Sequence, residues 1–156
     1  MRLQISTQLA IFAVLELSAR AGEQLSVAEI GEKFGVSSHH LAKVMHVMGR
    51  AGLVRSVRGA GGGYLFTGNA RRVTLLDVVQ LFEESSSDPN GGGDGTAEGQ
   101  ALHQVLAEID DISRATLGSI TIATMCKLVE RAGGANGKSA AKNVDKGSNK
   151  AANTPA

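Results

Sequence analysis

The segment SVAEIGEKFGVSSHHLAKVMHVMGRAGLVRSVRGAGGGYLF, Ser26 to Phe66, decides how this chain is built. Its first part, SVAEIGEKFG, reads as a short helix. Ser26 can cap that helix, and Glu29, three residues on, is the reciprocal partner of a capping box. Gly35 can supply the left-handed residue that ends it. VSSHHLAKVMHVMGRAG follows with almost no spacer. Ser37 is the expected N-cap, Leu41, Val44, Met45 and Met48 form the apolar stripe, and Gly52 ends the helix. Two short helices joined by a tight turn with glycine make a helix-turn-helix pattern, although many helical hairpins share that spacing. The residues that follow sharpen it. LVRSV and YLFTG are strand-like and flank a run of glycines, which predicts a β-hairpin. Helix, turn, helix, hairpin is the order of a winged helix-turn-helix domain.

The hairpin loop holds Gly59, Gly61, Gly62 and Gly63 within five residues. A nucleotide-binding glycine loop needs a strand before it and a helix after it, and a P-loop also needs Lys-Ser/Thr. Here Gly63 is followed by the strand-like Tyr64-Leu65-Phe66. A wing fits better, because glycines allow positive-φ turns and close approach of backbone to a phosphate. Arg55 and Arg58 are expected to point the same way from one strand. A basic side chain at a wing tip suits the minor groove, where narrow A·T tracts concentrate negative potential. The plain alternative is a flexible hairpin with solvated arginines.

Outward from this segment, Leu3 to Ala19 reads as a buried helix, apolar around much of its circumference. Gln8 and Glu16 inside it, with no basic leader or clear cleavage site, argue for a folded helix and against a signal peptide. TLLDVVQLFEE is a further helix, capped by Thr74 with Asp77 at the box position. SSSDPNGGGDGTAEG is a loop. Ala101 to about Leu117 carries Leu102, Val105, Leu106, Ile109 and Ile112 at helical spacing, a long amphipathic helix expected to pack against a twin in a homodimer. SITIATMCKLVER reads as a short final helix. From Ala132 the chain is rich in Gly, Ala, Asn, Ser and Lys and is expected to be disordered. The expected organisation is a head at residues 1–82, a flexible acidic and glycine-rich loop at 83–100, a dimerisation helix and terminal helix at 101–131, and a tail at 132–156.

The 156 residues suit one domain with an appendage, and the 42% apolar content suffices for a core. No run reaches the length of a membrane span. The net charge of +1 hides an asymmetry: residues 1–82 hold nine Lys/Arg against five Asp/Glu, and residues 83–131 hold three against nine. A basic front part suits a polyanion, whereas the acidic middle does not. The single cysteine, Cys126, cannot form an internal disulfide, which fits a reducing cytoplasm.

The Ser26–Phe66 segment, the later VTLLDVVQLFE and LGSITIATM, and the opening MRLQISTQLA together resemble the Rrf-two family of winged-helix repressors, the IscR- and NsrR-like regulators. The resemblance covers about residues 1–131. It implies a homodimer on double-stranded operator DNA, with recognition helices in the major groove and wings at the minor groove. Carried onto this sequence, Ser37, His39 and Lys43 face bases, while His46 and Arg50 reach phosphates. For His39 and His46 an exposed helical histidine is the competing reading. Arg55, Arg58, Gly59, Gly61, Gly62, Gly63 and Tyr64 belong to the wing contact, and Ser26 offers a backbone N–H to a phosphate.

The sequence departs from the family in one respect. Many members hold an iron–sulfur cluster through three cysteines in the loop before the long helix. Here that loop, EESSSDPNGGGDGTAEGQ, has none, which excludes such a three-thiolate site. Ser85, Ser86 and Ser87 are adjacent, unlike three spread ligands. His103 stands where some members place a nitrogen ligand, and Gln8 stands where others place an acidic one. His103 is read as a relic, a surface histidine or a sensor ligand, and Cys126 as a buried thiol or a redox sensor. No metal ligands are assigned, and the sequence does not identify any other cofactor. The resulting expectation is a mainly α protein with a β-hairpin wing, acting in the cytoplasm as a DNA-binding repressor without membrane or catalytic function. The alternative is a small-molecule, haem or metal sensor using His103 or Cys126.

Overall fold

The computed structural model describes residues 2–83 and 95–144, with side chains described as far as residue 133. Eight elements follow in order. They are α1 (Ile5–Ala19), α2 (Val27–Phe34), α3 (Ser38–Arg50), β1 (Val54–Val57), β2 (Gly63–Phe66), α4 (Leu75–Val79), α5 (Ala97–Ser119) and α6 (Ile122–Val144). The mainly helical fold with a hairpin wing is as the sequence predicts.

Local chemistry sets the helix ends. Ser26 Oγ accepts the Glu29 N–H and the Glu29 carboxylate accepts the Ser26 N–H, so the capping box of α2 is complete. Thr74 and Asp77 form the same box at α4. Each cap contributes about 1 kcal/mol. The ends of α2 and α3 match each other. Gly35 (φ 64°) and Gly52 (φ 76°) take the left-handed conformation. Val36 N–H then reaches the Gly31 carbonyl, and Leu53 N–H reaches that of Met48. These two reversals set the angle between α2, α3 and the hairpin.

The core forms around α1, which packs on α3, α4 and α6. Val14, Leu17, Ile30, Leu41, Met45, Met48, Val78 and Ile122 are fully buried. Glu16 is a buried carboxylate at 8% exposure. Arg20 at 3.1 Å and Lys33 both pair with it, joining α1 to α2. Phe34 extends this seam by stacking on Phe12, with ring centroids 5.2 Å apart.

Strands β1 and β2 are antiparallel, with Val54 opposite Phe66 and Val57 opposite Gly63. Leu25, just before α2, adds a third rung: its N–H donates to the Tyr64 carbonyl and its carbonyl accepts the Tyr64 N–H. A second seam joins residues 70–75 to the α5–α6 turn, through Leu75 N–H to Ile120 O and Ile122 N–H to Val73 O.

Four expectations are corrected. Helix α1 starts at Ile5; Gln4, its N-cap, is extended (ψ 154°) and donates its otherwise orphan N–H to the Glu83 carboxylate at 2.8 Å. Helix α4 spans only Leu75–Val79, and the chain turns through Glu83, whose carboxylate also accepts the Thr7 hydroxyl at 2.5 Å. Helix α6 continues to Val144, past the expected end near Arg131 and into the segment expected to be disordered. A nucleated helix extends at the cost of ordering one residue per hydrogen bond. Arg58 lies outside β1, which ends at Val57. Arg55 and Arg58 are three residues apart, and alternate strand residues face opposite ways, so they do not project alike from one strand. Residues 84–94, including Ser85, Ser86 and Ser87, and the tail from 145 lie outside the described residues.

Candidate nucleic-acid interface

Helix α3 has two faces. Leu41, Val44, Met45 and Met48 are buried. His39, Lys43, His46 and Arg50 are exposed and follow one another at steps of four, three and four residues. That spacing puts them in one stripe along the solvent side of the helix. Ser37 caps the stripe, its hydroxyl accepting the His40 N–H at 3.4 Å. His40 turns inward instead, its ring nitrogen 3.3 Å from the Ser6 hydroxyl on α1. The histidine pair thus divides between surface and scaffold, as its 100° angular separation requires.

The lower half of the stripe meets the wing. His46, Gly49 and Arg50 from α3 and Arg55, Ser56 and Tyr64 from the hairpin line one shallow concavity floored by Met45 and Val54. The two arginines thus border one trough. Lys43, Arg50, Arg55 and Arg58 are exposed, and none takes part in an ion pair among the described residues. An unpaired cationic row beside a groove-sized ridge is suited to a phosphate backbone.

The wing glycines answer first to the chain's own geometry. Gly59 (φ 120°) and Gly61 (φ 75°) turn the loop. A Cβ on Gly62 would lie 2.7 Å from the Val57 carbonyl oxygen. One on Gly63 would lie 2.6 Å from the Leu25 carbonyl carbon. The close approach at these two positions is therefore to neighbouring backbone within the hairpin and to the Leu25 rung. Tyr64 is half-buried and packs against the core. Ser26 differs from its expected role. Its N–H is taken by Glu29, whose carboxyl is held below the usual carboxylate range, first by that backbone hydrogen bond and then by the Ser26 hydroxyl. It is not available to a phosphate unless the box opens.

Three interface residues escaped the reading of the sequence. Val47 is 36% exposed beside the polar stripe, an apolar side chain off the apolar face of α3. Its place off the Leu41–Met48 stripe was the signal. Ser56 lines the trough. Gln24 donates its side-chain amide to the Gly61 carbonyl at 2.5 Å, a contact across 37 positions that no local pattern announces.

A two-helix reading unit with an exposed stripe, seated beside a hairpin wing, defines a winged helix-turn-helix DNA-binding regulator of transcription. The model of the Rrf2 family, described as iron-dependent transcriptional regulators, matches residues 3–128. The HTH-type transcriptional regulator BadM of Rhodopseudomonas palustris is 47% identical over 131 residues, 83% of this chain and 84% of that protein. The structure of T. potens IscR superposes with a TM-score of 0.70 at 28% identity, covering 85% of this chain and 90% of that one. The structure of CymR, the global cysteine regulator of B. subtilis, shares the fold with a TM-score of 0.70 at 23% identity, covering 82% of this chain and 98% of that one. The chain belongs to the Rrf2 family. It is a transcriptional regulator and not an enzyme.

The family description names iron, and this chain offers one cysteine as a thiolate donor. The one thiol, Cys126, is half-buried in the first turns of α6, with its sulfur 3.9 Å from the Ser18 hydroxyl of α1. His103 is exposed on α5, more than four turns before that helix ends, about 24 Å along its axis. The two expected sensor residues thus stand on different helices, His103 on α5 and Cys126 on α6. Among the described residues no three His, Cys, Asp or Glu side chains are grouped to hold a metal ion. Gln8 spends its amide on the Leu3 carbonyl at 3.0 Å, bracing the start of α1.

Proposed function

We propose that this regulator is a homodimeric repressor of a two-fold symmetric operator, working in the cytoplasm without a three-cysteine cluster. The observation that carries the reading is the exposed His39–Lys43–His46–Arg50 stripe running into the Arg55 side of the wing. His39 and Lys43 lie nearest the N-terminus of α3, the end that reads base edges in helix-turn-helix proteins. His46, Arg50 and Arg55 lie toward the wing, where they reach the flanking phosphates. Arg58 stands at the wing tip over the minor groove. Phosphate contacts set the register and base contacts select the sequence.

The dimer rests on α5. Leu102, Val105, Leu106, Ile109 and Ile112 are 53–61% exposed, and no residue of this 23-residue helix is buried. A second copy of the same stripe, related by a two-fold axis, removes these side chains from water and places two reading heads on one face. Such a pair reads half-sites about one helical turn apart. The cytoplasmic reading is supported by the lone cysteine, and among the described residues no helix is long and apolar enough to cross a membrane.

Gel-shift titration against DNA upstream of candidate genes, at several salt concentrations, tests the reading. Operator affinity well above that for random DNA, falling steeply with salt, is expected. Equal affinity for operator and random DNA overturns it. Transcription in vitro from a bound promoter tests the sign: repression falls away if the protein raises transcript yield.

A further inference from the structure

A hairpin of two four-residue strands is marginally stable by itself. This one is held at two points by the segment that leads into α2. Leu25 pairs with Tyr64 in both directions, at 3.0 and 2.8 Å, and Gly63 permits that approach. One residue earlier, the Gln24 side-chain amide donates to the Gly61 carbonyl at the loop itself. The first contact fixes β2 close to the loop, at Tyr64 opposite Ser56. The second fixes its tip, where Gly59 and Gly61 would otherwise swing freely about positive-φ backbone.

We propose that Gln24 is a positioning residue for DNA recognition: its hydrogen bond to Gly61 sets the height and angle at which the wing tip presents Arg58. The inference rests on the DNA-binding reading above and deepens it. Arg58 is exposed and has no ion-pair partner among the described residues, so the loop backbone that carries its Cα sets the region its flexible side chain can reach. Among the described residues the Gln24 side chain has its hydrogen bond to Gly61 and none to Arg58 or the recognition stripe. Its effect passes through the loop backbone. It also ties the wing to the entry of α2, so the two parts of the reading head move as one body. A free wing would still bind, but ordering its loop on the DNA costs conformational entropy that the tethered wing has already lost.

The Gln24→Met variant tests this in the full-length protein, because Met keeps the length and neutrality of the side chain and removes the donor. In the free protein, amide exchange at Gly61, Gly62 and Gly63 should quicken several-fold, with exchange in α1 and α3 unchanged. On operator DNA, Q24M should bind about 3- to 10-fold more weakly, the range expected from one exposed hydrogen bond. Minor-groove protection at the wing should fade while major-groove protection under α3 persists. In the Arg58→Ala background, Q24M should change affinity less than twofold, because the side chain it positions is gone. Wild-type exchange at the wing tip, wild-type affinity, or an undiminished effect in the R58A background overturns the proposal. Wild-type protein that does not distinguish operator from random DNA overturns the DNA-binding reading, and the proposal with it. The exchange arm still reports on the tether itself.

Discussion

The reading head and α5 are built on opposite terms. In the head, every helix finds a face to bury, the buried Glu16 has two cationic partners, and two capping boxes close the helix starts. In α5, a helix of 23 residues, the apolar stripe lies exposed and no residue is buried. The head satisfies itself within one chain, whereas α5 is the surface on which the proposed dimer would close. Stability and assembly therefore fall on different residues, and substitutions can separate them.

The sharpest way to break this division is on α5. Leu106→Asp with Ile109→Asp places unpaired charge in the seam. Sedimentation should show a monomer where the wild type is a dimer, and operator affinity should fall about 100-fold or more as the second head is lost. The thermal transition of the head should remain. An unchanged sedimenting mass would remove α5 from the interface. The converse change is Gly63→Ala, whose Cβ meets the Leu25 backbone. It should cost about 2 kcal/mol in urea unfolding while leaving α5 unaltered. A loss below about 0.5 kcal/mol would mean that the rung yields easily.

Smaller effects sharpen the head itself. Arg58→Ala should weaken operator binding about tenfold with an unchanged unfolding midpoint, and Arg50→Ala should lower the salt slope by about one. Unchanged binding in R58A would leave the glycine loop as a simple turn. The smallest effect concerns Glu83, which joins the end of α4 to the start of α1. The Thr7 hydroxyl first, and then the Gln4 N–H, hold its carboxyl below the ordinary range. A depressed native pKa makes its contribution present at neutral pH and lost as pH falls through the folded-state value. Glu83→Gln should flatten this acid limb of the stability profile by a small amount, since the group is near the surface. Equal acid limbs in the two proteins would deny the carboxylate its role.

The sequence showed most plainly what short-range chemistry controls. Ser26 with Glu29, Thr74 with Asp77, Gly35 and Gly52 act within three to five residues of their partners, and the structure places each as its local pattern implies. The buried stripe of α3 follows from helical periodicity, and its exposed complement from the same count. The exposed α5 stripe, too, was plain in its spacing.

Contacts between distant positions were settled only by the tertiary structure. Gly63 is glycine because Leu25 lies against it, and Gln24 matters because the loop of Gly61 folds back over it. The Ser26 N–H was legible as a helix-start donor but is already spent on its own capping box. Glu83, beyond the end of α4, reaches the first turn of α1 across 76 positions, a link that no local pattern carries. Local sequence determined the elements and their faces, since hydrogen bonds and periodicity within a turn are nearly independent of the rest. The aim of the wing depended on which distant backbones came within van der Waals distance, and only the packed chain decides that.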